Sequence, residues 1–178
     1  YRKLTEKGLI GGRVELIPHQ QFIAREVVSR RVPRVLLADE AGLGKTIEAG
    51  LVLKELILRG LARTALIVVP ASLTGQWHEE LVDKFQLDAV LVREARDLKE
   101  DPPILLCSYS LLRGKGVGPM ILERGFDVLI CDEAHHLKNR NTRQYRAVSK
   151  VRKKYALLLS ATPCHDRLLA LKNLLDSL

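Results

Sequence analysis

The segment RVLLADEAGLGKTIEAG, residues 34–50, determines how the rest of this 178-residue chain is interpreted. Its apolar run over residues 35–38 is typical of a buried strand, and a turn containing Gly42 and Gly44 follows it. A helical pattern begins one residue later. A glycine-bearing turn before a helix lets successive backbone N–H groups converge on an anion, and the positive end of the helix adds to the attraction. The segment therefore predicts a phosphate-binding loop.

Two side chains at the start of this helical pattern suit a nucleoside triphosphate and its metal. Lys45 can reach the outer phosphates as a point charge, and the Thr46 hydroxyl has the right length to ligate Mg²⁺. Such loops usually carry glycine six residues before the lysine. This chain has Asp39 there, and we infer that its carboxylate points away from the phosphates. The alternative is an ordinary strand–turn–helix connection. The predicted nucleotide-contacting residues of the loop are Asp39, Glu40, Ala41, Gly42, Leu43, Gly44, Lys45 and Thr46.

A second acidic segment completes the predicted nucleotide site. The apolar run over residues 128–131 ends in Asp132 and Glu133. The first carboxylate can hold Mg²⁺ through its water shell, and the second can orient and polarise an attacking water. His135 is expected to make hydrogen bonds that carry information from the nucleotide. The alternative is an acidic pair at an exposed turn.

Cysteine usage disfavours both a disulfide framework and a structural zinc site. Cys107, Cys131 and Cys164 are odd in number and lie in apolar contexts, which favours a reducing compartment. No pairing of Cys131 or Cys164 with His135 or His136 has the spacing that is usual for structural zinc ligands.

The net charge of +8 favours a polyanionic partner. Residues 138–154 contain eight basic residues and no acidic one. Arg143, Arg146 and Lys150 recur at helical spacing, which places them on one face of a helix. Aromatic residues make up only 4% of the chain, so contacts to a nucleic-acid backbone fit better than base stacking. The alternative is a solvated surface helix.

Length and hydropathy predict a single α/β domain. Apolar runs of strand length alternate with helical patterns, and no run approaches the roughly 20 residues of a membrane span. Residues 1–16 have no clear periodicity and are interpreted as a lead-in to a domain over residues 17–178. The chain begins without Met or a signal-like apolar core, so we expect a soluble fragment of a longer protein.

Three polar positions outside the loop and the acidic segment are further candidates. Gln20 lies near the start of a predicted helix, where its amide can pair with the two-sided edge of an adenine, although most such glutamines are simply exposed. Ser160 and Thr162 follow the last predicted strand. Their hydroxyls can reach the turn over residues 132–135 if the two strands are neighbours.

Taken together, these segments resemble the first RecA-like lobe of Swi/Snf-type enzymes of helicase superfamily two. The similarity covers roughly residues 16–178. Gln20 resembles the adenine-sensing glutamine of the family, and residues 39–46 resemble its motif I, including the Asp. Residues 69–77 resemble motif Ia, residues 132–135 resemble motif II, and residues 160–163 resemble motif III. Residues 18–20, 46–50 and 132–136 most resemble the bacterial RapA-like branch, whose best-known member acts on RNA polymerase.

The resemblance implies a RecA-like P-loop NTPase lobe with a three-layer fold, a parallel sheet with helices on both faces. It further implies an ATP- and Mg²⁺-binding lobe of a DNA-dependent ATPase that translocates on double-stranded DNA. The implied catalytic residues are Lys45, Asp132 and Glu133. The implied Mg²⁺ ligands are Thr46 and Asp132, and the further nucleotide contacts are Gln20 and His135.

The expected partners are double-stranded DNA and a second RecA-like lobe of the same full-length protein, with RNA polymerase as a candidate. We expect a monomer in the cytoplasm of a bacterium or archaeon, with no membrane association. One alternative is the lobe of an RNA-directed helicase-type ATPase. Another is a nucleotide-binding interaction module without turnover.

The two-lobe mechanism leads to a prediction about this chain alone. Charge-stabilising arginines would come from the second lobe, and such residues contribute about 10³ to 10⁵ in rate in related enzymes. Residues 1–178 should therefore bind nucleotide weakly and hydrolyse almost no ATP, with or without duplex DNA. ATP turnover measured beside the full-length protein tests this, with Lys45→Ala as the contamination control. Robust DNA-stimulated hydrolysis by this chain alone would contradict it.

Overall fold

A six-stranded parallel sheet organises the computed structural model, which describes Glu26, residues 34–38 and residues 44–160. All neighbouring strands run parallel, in the order β1-β6-β5-β2-β4-β3. The strands are β1 (Arg34–Ala38), β2 (Ala65–Val69), β3 (Ala89–Leu91), β4 (Ile104–Ser108), β5 (Gly125–Cys131) and β6 (Arg152–Ser160).

Helices and short helical turns connect the strands. The α-helices are α1 (Lys45–Leu58), α2 (Thr74–Glu79), α3 (Tyr109–Leu112), α4 (Val117–Glu123) and α5 (Arg143–Ser149). Single turns of tighter helix lie at Ala71–Leu73, Ala95–Leu98 and Ala134–Leu137, and α2 continues as a wider turn over Glu80–Lys84. Within the described part of the chain, no helix combines the length and hydropathy needed to cross a membrane.

Both faces of the sheet are covered by helices. Strand β2 is buried along its whole length, and its alternate residues enter two different apolar clusters. Ile67 packs with residues of α1 and α2, whereas Val68 packs with residues of α3, α4 and α5. Continuous apolar strands are typical of a parallel sheet covered on both sides. The predicted three-layer α/β fold is confirmed.

Two cysteines lie in the interior of this sheet. Cys107 of β4 and Cys131 of β5 both pair with Val68 of β2, so a whole strand separates them. Both thiols are buried and free. Burial raises the pKa of Cys131 to about 12 and raises that of Cys107 further, so neither side chain is a reactive thiolate at neutral pH.

The first face is closely packed where α1 meets the segment after α2. The Phe85 ring, which is 2% exposed, lies against Gly50 in α1, and a Cβ at that position would overlap three ring atoms. The Lys54 ammonium donates a hydrogen bond to the Phe85 carbonyl at 2.5 Å. Glycine at position 50 is therefore required for this helix to approach its neighbour.

Replacing Gly50 with Ala tests this packing. We expect Gly50→Ala to lower the free energy of unfolding, because overpacking costs about 1–3 kcal/mol and the gain in helix propensity returns only about 1 kcal/mol. Gly75→Ala in α2, where a Cβ meets nothing within 4 Å, is the matched control and should be neutral or stabilising. Urea denaturation measures both. Equal stability of the two variants would contradict the packing argument.

Candidate active site

A pocket of about 420 Å³ opens at the carboxyl edge of the sheet. Ligands of open parallel sheets bind at this edge. The pocket lies between the start of α1, the helical segment over residues 73–84 and the residues that follow β5. Its lining residues are Gly44, Lys45, Thr46, Ile47, Leu73, Gln76, Trp77, Glu80, Lys84, Asp132 and Glu133.

The start of α1 forms one side of the pocket and has the backbone features of a phosphate-binding site. Gly44 has φ 84° and ψ 29°, a left-handed conformation that glycine adopts without steric cost. Its carbonyl accepts the first helical hydrogen bond, from the Glu48 N–H at 3.0 Å. The 14-residue helix that follows leaves its first N–H groups free of helical partners. Lys45 and Thr46 are its first two residues and are only partly exposed.

Asp132 provides the acidic half of the pocket and is held firmly. Its side chain is buried, at 7% exposure. One carboxylate oxygen, Oδ2, accepts a hydrogen bond from the Trp77 indole at 2.8 Å, and Oδ1 accepts one from the Glu133 N–H at 2.7 Å. The backbone of Asp132 is fixed as well, because the Tyr109 hydroxyl donates to its carbonyl at 2.7 Å.

Burial also sets the charge properties of Asp132. Desolvation raises the pKa of its carboxyl, and the hydrogen bonds from Trp77 and Glu133, together with the Lys45 charge, partly oppose that shift. A cation bound beside a buried carboxylate favours its ionised form and so opposes the effect of desolvation. The direction of this pKa shift therefore fits a group that receives a metal ion.

Glu133 adopts a backbone conformation that is costly for its residue type. Its φ of 48° and ψ of 45° lie in the left-handed region, where non-glycine residues are uncommon. Its Oε2 atom lies 3.0 Å from Nδ1 of His135, and the side chain remains partly exposed toward the pocket. Strain of this kind persists where the surrounding structure imposes it, frequently at functional sites.

The side chains that line this pocket fit Mg²⁺. This ion takes oxygen ligands, keeps several waters, and is usually bound by one or two protein oxygens together with substrate phosphates. The Thr46 hydroxyl, at the start of α1, and the Asp132 carboxylate, just after β5, supply such oxygens from two different segments that line the pocket. The side-chain carboxylate of Asp132 accepts two hydrogen bonds from the described residues, although a carboxylate has about four acceptor positions.

Five of the predicted site residues meet in this one pocket, namely Gly44, Lys45, Thr46, Asp132 and Glu133. His135 contacts Glu133 beside it. Ser160 ends β6, next to β5, but among the described residues its buried hydroxyl has no hydrogen-bond partner. The predicted positions that lie outside the described residues are Gln20, Asp39, Glu40, Ala41, Gly42, Leu43 and Thr162.

Sequence reasoning missed the two side chains that hold Asp132. Trp77 was noted only as the end of the segment that resembles motif Ia, and no contact with Asp132 was predicted for it or for Tyr109. Each acts across a long sequence separation, 55 residues for Trp77 and 23 for Tyr109. The available signal was their placement after the carboxyl ends of β2 and β4, the edge at which Asp132 also lies.

The basic helix predicted from sequence is present as α5. Arg143, Arg146 and Lys150 are all exposed, whereas Ala147 and Val148 of the same helix are buried. The apolar side packs into the second face of the sheet. The cations therefore form a solvent-facing row, which we call the α5 basic row.

A phosphate-loop helix after β1 and an acidic pair after β5, facing one pocket of a three-layer parallel sheet, define a P-loop NTPase lobe of the RecA type. The family model described as "SNF2-related domain" matches residues 19–178. The chain therefore belongs to the SNF2-related domain family.

Two curated relatives are similar over most of the chain. It is 43% identical over 162 residues to the uncharacterized ATP-dependent helicase YqhH of Bacillus subtilis, covering 91% of this chain and 29% of that protein. It is also 43% identical over 176 residues to the RNA polymerase-associated protein RapA of Vibrio campbellii, covering 90% of this chain and 18% of that protein. The chain thus spans less than a third of either relative.

Solved structures are similar in fold. The SWI2/SNF2 ATPase core of Sulfolobus solfataricus in complex with dsDNA matches with a TM-score of 0.80 and 26% identity. A second structure, of the SWI2/SNF2 ATPase core domain of Sulfolobus solfataricus, matches with a TM-score of 0.74 and 27% identity. These matches cover 94% and 93% of this chain and 36% of each solved chain.

The strained conformation of Glu133 leads to a prediction about stability. We compare Glu133→Gly with Glu133→Ala, since both remove the carboxylate and only glycine removes the left-handed strain. The free energy of unfolding of the glycine variant should be about 1 kcal/mol higher than that of the alanine variant. Left-handed backbone costs an L-residue about 1–2 kcal/mol, and the greater loss of conformational entropy when glycine folds offsets part of that difference. Urea denaturation of the nucleotide-free protein measures the difference. An alanine variant as stable as the glycine variant would contradict the strain at this position.

Proposed function

We propose that this chain is the ATP-binding motor lobe of a DNA-dependent ATPase that translocates on double-stranded DNA. The observation that carries the proposal is the convergence of Lys45, Thr46, Asp132 and Glu133 on one pocket in a lobe of the SNF2-related family. The relative YqhH is described as an ATP-dependent helicase. The similar Sulfolobus core is described in complex with dsDNA, which supports duplex DNA as the partner.

Each residue has a role that follows from its position. N–H groups at the start of α1 and the Lys45 ammonium bind the outer phosphates. Thr46 and Asp132 would hold Mg²⁺, which neutralises charge that develops on the phosphates. Glu133 lies in the same pocket and orients the attacking water, while His135 limits the positions that the Glu133 side chain can take.

The proposal extends to a second lobe and to the assembly on which the motor acts. The relatives and solved cores are about three times longer than this chain or more, which leaves room for a second RecA-like lobe that closes over the nucleotide. We also propose an RNA polymerase complex as a candidate target, because RapA is described as RNA polymerase-associated. We propose the cytoplasm of a bacterium or archaeon as the location, and the bacterial origin of the two relatives named above supports a cell without a nucleus.

The role of Glu133 is tested by Glu133→Gln in the full-length protein. The amide keeps the size of the side chain but cannot polarise a water as a carboxylate does, so ATP turnover should fall by about 10²-fold or more while ATP binding is retained. Steady-state hydrolysis with duplex DNA and equilibrium ATP binding are the two measurements. Retained DNA-stimulated turnover would remove Glu133 from the catalytic role. Absence of ATP binding by the unmodified protein would contradict the proposed function as a whole.

The α5 basic row should contact DNA phosphates. Each phosphate contact removed lowers the slope of log affinity against log salt concentration by about 0.9 for duplex DNA. Changing Arg143, Arg146 and Lys150 together to Ala should therefore weaken duplex binding by the full-length protein and flatten its salt dependence. Fluorescence anisotropy at a series of salt concentrations measures both effects.

The matched control removes the same charge from another part of the surface. Arg59, Arg63 and Lys99 are exposed, lie outside residues 138–154 and precede the beginnings of β2 or β4, at the opposite edge of the sheet from the pocket. Changing these three to Ala should leave the salt slope nearly unchanged. Equal slopes for the two triple variants would indicate that the α5 basic row is only a solvated surface.

A further inference from the structure

Asp132 is held from both faces of the sheet at once. Trp77 belongs to the apolar cluster on the α1 and α2 side, and its indole N–H reaches the Asp132 carboxylate. Tyr109 belongs to the cluster on the opposite side, and its hydroxyl reaches the Asp132 carbonyl. Strand β2 precedes the first of these residues, and β4 precedes the second. Neither contact is needed to form a strand or a helix.

The hydrogen bond from Trp77 restrains rotation of the Asp132 carboxylate. Trp77 is 1% exposed, so the residues packed around it restrain the position of its ring. An indole N–H only donates, and it can therefore stabilise a carboxylate oxygen without competing for the metal. With Oδ2 bound to the indole and Oδ1 to the Glu133 N–H, each oxygen has acceptor capacity left on its remaining side.

A core role alone does not require this contact. Phe85, in the same apolar cluster and 2% exposed, fills its space with a purely apolar ring. A phenylalanine at position 77 would also keep most of the packing. What only tryptophan adds is a fixed N–H donor beside a carboxylate that is 7% exposed and has few other partners.

We propose that Trp77 is a positioning residue of the metal site, whose indole N–H holds the Asp132 carboxylate in the orientation that receives the Mg²⁺ of bound ATP. The inference rests on the proposed function, because it assumes that Asp132 serves that metal. Hydrogen-bond partners of metal ligands typically contribute about 10- to 100-fold to metal affinity. Trp77 should contribute within that range.

The first experiment measures metal affinity rather than turnover. Mn²⁺ replaces Mg²⁺ as a paramagnetic probe, and its binding to the ATP complex of the full-length protein is followed by electron paramagnetic resonance. Trp77→Phe should weaken Mn²⁺ binding by about 10-fold or more. ATP affinity measured in EDTA should stay within about twofold of the unmodified protein, because no phosphate contact is removed.

The second experiment observes the indole directly. The full-length protein is labelled with 5-fluorotryptophan, and the ¹⁹F resonance of position 77 is assigned as the one that Trp77→Phe lacks. That resonance should shift when Mg²⁺ and ATP are added together and should not shift with ATP in EDTA. The proposal would be overturned if the ¹⁹F resonance did not shift when Mg²⁺ and ATP were added and the Mn²⁺ affinity of Trp77→Phe were unchanged.

Two further variants separate the possible failures. Phe85→Leu removes packing from the same cluster without touching Asp132, so it should lower stability and leave Mn²⁺ affinity unchanged. An equal loss of affinity in Phe85→Leu would reduce Trp77 to a core residue and overturn the inference. Asp132→Asn should weaken Mn²⁺ binding strongly. If it does so while Trp77→Phe does not, only the inference about Trp77 fails, whereas unchanged affinity in Asp132→Asn overturns the proposed metal site itself.

Discussion

The parallel pairing of β1, β6 and β5 is the constraint on which the site depends. Because the three strands run in one direction, the loop after β1 and the acidic pair after β5 leave the sheet at the same edge. With β6 between them, two strand spacings of about 4.8 Å separate the exits by about 10 Å. A triphosphate with its metal spans that gap, so the sheet order itself sets the distance between Lys45 and Asp132.

Two residues of the site lower the stability of the folded protein. Asp132 is a carboxylate moved out of water, and Glu133 is an L-residue in left-handed backbone. Neither arrangement would be favoured in a sheet that only had to fold. Apolar burial on both faces, from α1 and α2 on one side and from α3, α4 and α5 on the other, holds them in place. Groups destabilised in the free protein are those that gain most from a bound cation and nucleotide.

The sequence was informative wherever the determining pattern is local. The apolar run over residues 35–38 located β1 to within one residue, because a short apolar run of this kind is typical of a buried strand. Strand β5 begins at Gly125, earlier than its apolar run, because Asp127 is accommodated by N–H donors from Arg63 and Thr64. Its polar side chain therefore interrupts the pattern without interrupting the strand.

Non-local features could not be predicted in the same way. The strand order and the hydrogen bond between Trp77 and Asp132 depend on which segments become neighbours after folding. A lone tryptophan on an apolar helix face looks the same whether its N–H meets a carboxylate or another acceptor. By contrast, the exposed cations of α5 followed from helical spacing, since Arg143, Arg146 and Lys150 are all exposed while Ala147 and Val148 are buried.

The most direct measurement of the central claim is a crystal structure of the full-length protein with Mg²⁺ and a non-hydrolysable ATP analogue. The outer phosphates should lie at the N-terminus of α1 beside Lys45. The metal should lie about 2.0–2.1 Å from the Thr46 hydroxyl oxygen, with one of its waters or the ion itself bonded to Asp132. A nucleotide bound outside this pocket, or a metal that contacts neither Thr46 nor Asp132, would contradict the account.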